Sequence, residues 1–214
     1  MMYQTDITSG DLEVHLESAA KSIRDGYVVV APLEGAYVLL ADAFFHDPVR
    51  ALHVIRGDEF GVAAALLIPG FETLEGIVRE ISEETKSLCE KFWPGKLSLA
   101  LKPHTWLGWD LGDAGALDQI TVRVPSKGFV HSLLAKTGPL AMASAAKTGK
   151  PPVRDPELLN LTDNQVADIF TEGVLEPTEL STLVESDLSG SKIVRVGAIS
   201  VEEIVAVAPG ISLP

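Results

Sequence analysis

Apolar positions along the chain follow two periods. Leu12, Leu16, Ala19, Ala20 and Ile23 recur at helical steps, after a capping candidate at Ser9 and before a stop at Gly26. Tyr27–Pro32 (YVVVAP) is a compact β-branched run that predicts a buried strand. Ala41–Ile55 predicts helix, with Pro48 interrupting it or starting a second segment. Val62–Ile68 (VAAALLI) predicts another buried strand, and Thr73–Phe92 an amphipathic helix halted by Trp93-Pro94-Gly95. Leu97–Leu101 and Ile120–Pro125 predict strands, and Gly128–Lys136 a helix. Pro139–Ser144 predicts a strand that runs into the loop AAKTGKPP. Asp163–Ala167 predicts a short helix before a strand at Asp168–Phe170. Thr182–Glu185 and Lys192–Gly197 complete the strands, and Val201–Val207 the helices.

Strands and helices alternate without a strict order, and several strands are apolar on both faces. Helices should therefore cover a sheet, giving an α/β (α+β) chain. No internal repeat, low-complexity tract or clear linker interrupts residues 1–214, which read as one domain. The 46% hydrophobic and 22% charged content is that of a globular protein. VAAALLI is the longest apolar stretch and is too short to span a bilayer. The opening MMYQTDITSGDLE lacks the basic and apolar regions of a secretion signal. Cys89 is the one cysteine, so no internal disulfide forms. A soluble, cytoplasmic protein without a membrane partner is expected. The net charge is −13, and Asp155–Ser191 holds nine acids with no Lys or Arg. Such a solvated acidic face disfavours tight binding of duplex nucleic acid.

The common chemical motifs are missing. There is no G-x-G-x-x-G after a strand and no G-x-x-x-x-G-K-[ST]; Lys147-Thr148-Gly149-Lys150 is followed by Pro151 and Pro152 rather than a helix. The five histidines lack metal-ligand spacing, so no metal ligand is assigned. Cys89 reads as an inert buried thiol, and Trp93, Trp106 and Trp109 as packing or loop anchors. What remains is a set of cations and hydroxyls at or near strand ends: Arg56 in HVIRGD, Arg123 in TVRVP, Ser144 in AMASAAKTG, Ser181-Thr182 in LSTLVE and Arg195 in IVRVG. Singly, each is an ordinary turn residue. Together they supply what a phosphate cradle needs, guanidinium forks with hydroxyls at strand ends.

FWPGKLSLAL (Phe92–Leu101) resembles the F-W-P-G-P-L-T block of the YrdC-like (threonylcarbamoyl-AMP synthase) family. ITVRVPSKGFVHSLLAKTGPLAMASAAKTGKPP (Ile120–Pro152) is similar to its R-x-P segment, small-residue strand and S-A-N-x-S-G loop. LSTLVESD (Leu180–Asp187) is similar to its S-T-V-V-D block, and IVRVGAIS (Ile193–Ser200) to its closing R-x-G. Order and spacing match from about Leu12 onward. The resemblance implies a YrdC-like twisted open mixed sheet with flanking helices and a large concave cavity; the C-terminal extension domain that longer relatives carry is not expected here. It implies that L-threonine, bicarbonate and ATP, with Mg²⁺ accompanying the ATP, condense to threonylcarbamoyl-adenylate and pyrophosphate. The product serves threonylcarbamoyladenosine formation in tRNA, so tRNA or tRNA-modification proteins are implied partners. Arg123, Ser144, Ser181 and Arg195 match positions lining the family's nucleotide and threonine site. On this reading Arg56, Arg123 and Ser144 are catalytic candidates. Tyr37, Lys147, Ser181, Thr182 and Arg195 are the nucleotide-binding ones.

The chain departs from the pattern near that site. P-T-[ED]-T-x-Y-G-L reads PLEGAYVLL (Pro32–Leu40), so Leu33 and Gly35 replace two threonines while Tyr37 is kept. K-x-R reads Arg56-Gly57-Asp58, which inverts one charge, and S-x-N reads Ser144-Ala145-Ala146, which lacks the amide. A carboxylate about 4 Å from a phosphate costs on the order of 1 kcal/mol in water and several in a drier site; Lys147 is the candidate compensating cation. Two functions follow. One is a working nucleotidyltransferase with Arg56, Arg123 and Lys147 on phosphates and Ser144 and Ser181 orienting substrates. The other is a paralogue that keeps the fold and binds a nucleotide, an RNA element or a protein. Either way Arg56, Arg123, Ser144, Ser181 and Arg195 are expected around one cavity.

Overall fold

A computed structural model describes residues 3–115, 118–162 and 165–213. Along the chain run β1 (Tyr3–Asp6), α1 (Leu12–Arg24), β2 (Val29–Leu33), β3 (Ala36–Asp42), α2 (His46–Arg56), β4 (Ala65–Leu67), α3 (Phe71–Ile77) and α4 (Glu83–Phe92). Then follow β5 (Leu97–Leu101), β6 (Ile120–Arg123), α5 (Phe129–Thr137), β7 (Leu140–Ser144), β8 (Asp168–Thr171), β9 (Thr182–Asp187), β10 (Gly190–Arg195) and α6 (Val201–Val207). The strands make one mixed sheet in the order β1-β8-β2-β3-β7-β4-β6-β5-β9-β10. This is the α/β fold expected from the alternating elements.

Several predicted elements shift for identifiable reasons. Asp11, not Ser9, caps α1 by accepting from the Glu13 N–H. The residues predicted as one helix from Ala41 begin with the end of β3, which pairs with β2 through the two-residue turn Glu34-Gly35. α2 starts only at His46, and Pro48 lies in its first turn, where a missing N–H costs no helical bond. The segment Thr73–Phe92 divides into α3 and α4, with Ser82 capping the second by accepting from Thr85. β1 adds a strand that the pattern did not predict, pairing parallel to β8. Of the predicted helix Asp163–Ala167, residues 163 and 164 lie outside the described residues, and Gln165–Ala167 is not helical.

Strand alternation sorts the core onto two faces. On one, α2, α3, α4 and α6 bury Leu39, Leu66, Leu99, Val122, Ala141 and Val184. On the other, α1 and α5 bury Val29, Ala31, Val38, Leu40 and Leu140, reaching as far as Leu67 on β4. Beyond Leu67, side chains of β6, β5 and β9 on this second face, among them Thr121, Arg123, Ser98 and Leu183, line a cavity instead. The site thus lies where the helical cover on one side of the sheet ends.

Candidate functional site

The cavity encloses about 370 Å³. Ala65, Leu67, Thr121, Met142 and Leu183 supply its strand-borne lining, joined by the Glu34-Gly35 turn, Pro152 and the segment Thr178–Ser181. The Glu176–Thr178 segment approaches the turn closely. A Cβ on Gly35 would sit 2.6 Å from Thr178 Oγ1 and 2.8 Å from the Glu176 carbonyl oxygen. A side chain at position 35 would therefore clash with this segment, and Thr178 brings a hydroxyl to the same place.

Arg123 ends β6 and is buried. Its Nε donates to the Gly95 carbonyl at 2.7 Å, and its Nη2 donates to Glu34. Burial pulls the guanidinium below its ordinary pKa, and the Glu34 carboxylate opposes that pull. Glu34 has a left-handed φ of 56°, uncommon for a residue with a side chain. Its carboxylate also accepts from the Ser126 N–H at 3.4 Å and lies 3.9 Å from Lys96 Nζ. The cavity's most buried cation is thus already paired.

Another part of the wall is built of hydroxyls, carbonyls and the Arg195 guanidinium. The hydroxyls of Ser98 and Ser181 lie 2.7 Å apart. Arg195 Nη2 donates to the Ser181 carbonyl at 2.9 Å and its hydroxyl at 3.1 Å, while its guanidinium remains exposed. Two residues on, a Cβ on Gly197 would fall 2.2 Å from the Leu180 carbonyl oxygen, so glycine there lets the chain lie against Leu180-Ser181. Lys96 Nζ donates to the Glu179 carbonyl at 3.0 Å.

Arg56, Ser144 and Lys147 form a separate cluster next to this cavity. Arg56 Nε donates to the Asp58 carboxylate at 2.9 Å and its Nη1 to the Ser144 carbonyl at 3.0 Å. Lys147 Nζ donates to the Ile55 carbonyl, and the Ser144 hydroxyl accepts from the Ala146 N–H at 3.2 Å. The Asp58 side chain is only 2% exposed and is held by Arg56, His53 and the Thr148 hydroxyl. Burial works to raise its pKa, but these three partners outweigh it and hold the carboxyl below the usual range. The charge inversion therefore does not place a bare anion in the cavity; its countercharge, Arg56, is built in. Ser144 lies two residues past Met142 on the same face of β7, so the two groups adjoin without sharing a lining.

The expected convergence is thus divided. Arg123, Ser181 and Arg195 meet at the cavity, whereas Arg56, Ser144 and Lys147 meet beside it. Tyr37 and Thr182 belong to neither group. Tyr37 shares the opposite sheet face with Leu39, donates its hydroxyl to the Gly173 carbonyl at 2.6 Å and accepts from the Glu172 N–H at 3.2 Å. Thr182 alternates with Ser181, so its hydroxyl turns away and donates to the Ile199 carbonyl at 2.6 Å. Sequence reasoning missed Glu34, Ser98, Thr178 and Glu179 in the lining. Ser98 was accessible as the match to the threonine of the F-W-P-G-P-L-T block; Thr178 and Glu179 lie in the acidic run that reads as plain surface.

A roomier cavity of about 540 Å³ lies beside Trp109, but its lining sets Asp110, Asp113 and Asp118 against Arg79 and His104, the wrong balance for phosphate. Among the described residues no three His, Cys, Asp or Glu side chains gather as a metal site. Cys89 is buried, which pushes its thiol up to about 12.

Comparison with known proteins agrees with this architecture. The Sua5/YciO/YrdC family model, described as telomere recombination, matches residues 21–197. A Mycobacterium tuberculosis relative, provisionally named as a threonylcarbamoyl-AMP synthase, is 33% identical over 191 residues, covering 89% of this chain and 87% of its own. The threonylcarbamoyl-AMP synthase of Coxiella burnetii is 28% identical over 186 residues, 84% of this chain and 96% of its own. Pyrococcus abyssi Sua5, crystallised with L-threonine, matches with a TM-score of 0.87 at 26% identity. That match covers 100% of this chain and 62% of the P. abyssi chain, so this chain spans about three-fifths of that structure. Escherichia coli YciO shares the fold, with a TM-score of 0.79 at 20% identity over 95% of this chain and 98% of its own. With most of its length matched by one family model and aligned to a relative one-third identical, this chain belongs to the Sua5/YciO/YrdC family.

Proposed function

We propose that this protein is a threonylcarbamoyl-AMP synthase-type nucleotidyltransferase. It would join L-threonine, bicarbonate and ATP into threonylcarbamoyl-AMP and release pyrophosphate, for threonylcarbamoyladenosine formation in tRNA. The observation that carries this reading is the meeting of Arg123, Arg195 and the Ser98–Ser181 hydroxyl pair around one open cavity, in a chain matched along its length by Sua5 crystallised with L-threonine. Such a site works by positioning and charge neutralisation rather than through a covalent intermediate on the protein. Arg195, at the mouth, can grip a phosphate or carboxylate with its planar fork. The paired serines orient a polar group, and the carboxylates of Glu34 and Glu179 offer acceptors for an ammonium. A cavity with both anion donors and cation acceptors suits an amino acid and a nucleotide together.

Mg²⁺ would enter with ATP. Among the described residues no group of three or more carboxylates, histidines or cysteines gathers to hold it, and the nucleotide's phosphates and water would supply most of its ligands. Among the described residues no helix is long and apolar enough to cross a membrane, and a cytoplasmic setting fits the proposed substrates. The net charge of −13 argues against this chain holding duplex tRNA by itself, which leaves tRNA transfer to partner proteins. A second reading, a binding module without catalysis, draws support from the internal bonds of Arg56 and Lys147, two of the phosphate candidates of the sequence pattern. One assay separates the two. Purified protein with ATP, threonine, bicarbonate and Mg²⁺ should release pyrophosphate, and Arg195→Ala should slow it about tenfold or more, roughly 1.4 kcal/mol of barrier. Release no faster than a protein-free control would overturn the proposal in favour of the binding module.

A further inference from the structure

We infer that Asp58 is a positioning residue: through Thr148 it fixes the loop 144–152 that forms part of the cavity wall. The inference rests on the reading of this cavity as the substrate site. The loop leaves the cavity after Met142 and returns to it at Pro152. Between those points it is tied to the end of α2. The Thr148 hydroxyl donates to Asp58, the Thr148 N–H donates to the Arg56 carbonyl at 3.1 Å, and Lys147 Nζ reaches the Ile55 carbonyl. Arg56 bridges the two sides, donating to Asp58 and to the Ser144 carbonyl.

Asp58 is itself well placed to act as the fixed end. Gly57, with φ 72°, terminates α2 and turns the chain so that the Asp58 N–H donates to the His53 carbonyl at 3.0 Å. His53 Nδ1 lies 2.9 Å from the Asp58 carboxylate, and its Nε2 lies 2.8 Å from the Leu111 carbonyl oxygen. A Cβ on Gly112 would come within 2.1 Å of His53 Nε2, so the loop that carries Leu111 is pressed against the ring. The end of α2 and the Thr148 loop therefore meet at one nearly buried carboxylate, and the Leu111 segment braces it through His53. It binds no substrate in this arrangement, because Arg56, His53 and Thr148 surround it. Its effect on the reaction is carried by the wall it holds.

The test uses Thr148→Val, which removes only the loop's side of the contact, and Asp58→Asn, which keeps the shape and removes the charge. Loss of one hydrogen bond to a charged group should speed amide exchange across residues 145–150 by about tenfold, while the amides of β3 and β6 stay protected. In the pyrophosphate assay, Thr148→Val should raise the KM for ATP about fivefold and leave kcat within about twofold, the signature of lost uniform binding. Thr148→Ser, which restores the hydroxyl, should return both readouts to the original values. Unchanged exchange at 145–150 in Thr148→Val would overturn the inference, as would a fall in kcat with KM intact. Should Asp58→Asn fail to fold, the two Thr148 variants still decide the matter. Absence of any pyrophosphate would count against the proposed function alone, because the exchange measurement needs no turnover.

Discussion

Removing Glu34 should cost more than removing it together with Arg123. Arg123 is 8% exposed, and its two named partners are the Gly95 carbonyl and the Glu34 carboxylate. Glu34→Ala leaves a buried guanidinium without a countercharge, a change that typically costs about 3–5 kcal/mol. Adding Arg123→Met removes the stranded charge and keeps an apolar stem, which brings the net loss back to about 0–2 kcal/mol. The double variant should therefore be more stable than Glu34→Ala alone by about 1–5 kcal/mol, and with Arg123→Met as the second single variant the cycle should show clear coupling between the two sites. Glu34→Gly separates backbone from charge: at φ 56° glycine relieves left-handed strain, so it should be about 1 kcal/mol less damaging than Glu34→Ala. Urea unfolding with linear extrapolation reads all of these variants, because such losses are a large share of a stability of about 5–15 kcal/mol. The pair is largely shielded from solvent, so the coupling should persist at high salt. Additive single and double mutants, within about 0.5 kcal/mol, would refute the reading of Glu34 as the built-in counter-ion of this cavity.

Two further outcomes follow from side chains that face away from the cavity or are locked beside it. Tyr37→Phe removes a hydroxyl bonded to both Gly173 and Glu172, so urea unfolding should show a loss of about 1–2 kcal/mol while ATP affinity by calorimetry stays the same; a weaker affinity at unchanged stability would restore Tyr37 to the site. Asp58 has a folded pKa below its ordinary value of 3.8, so its stabilising effect is present above about pH 4 and is lost as pH falls through the folded value. The stability gap between the wild type and Asp58→Asn should therefore hold from neutrality down to about pH 4 and close only below it; closure already at about pH 6 would contradict the assignment.

How much of this was legible in the sequence depended on whether a run had a period and a boundary. β5, β6 and β7 were legible because each apolar run is bracketed by Gly, Pro or a loop. β3 was not, because AYVLLAD is buried along most of its length and such a run shows neither alternation nor a helical stripe. The break between α3 and α4 left only Ser82 followed by Glu83 and Glu84, a capping signature inside what looks like one helix. In the site, Arg123, Ser181 and Arg195 were legible as strand-end residues in a family pattern. Thr182 was not separable from Ser181 by residue type, although the two-residue period of β9 turns one outward when the other faces in. Asp58 was misread for a different cause. Its hydroxyl partner Thr148 lies 90 residues along the chain, and no local pattern announces such a contact.

The same long-range pairing changes which cation matters. Four basic residues are read from the sequence as available to anions, yet three of them are engaged, as is Lys96 beside them. Arg123 is held by Glu34, Arg56 by Asp58 and Lys147 by the Ile55 carbonyl, while Lys96 donates to the Glu179 carbonyl within 3.9 Å of Glu34. An incoming phosphate would have to compete with a carboxylate for the first two, in surroundings where an ion pair is worth more than in water. Arg195 differs: its bonds go to neutral oxygens of Ser181, so its charge is not cancelled and its exposed fork can add an anion without breaking an ion pair. Arg195 also acts on Arg123, adding in the same direction as burial to lower that guanidinium's pKa. The binding energy of an anionic substrate in this cavity should accordingly depend first on Arg195, with the residues of the Asp58 cluster acting through the shape of the wall rather than through their charge.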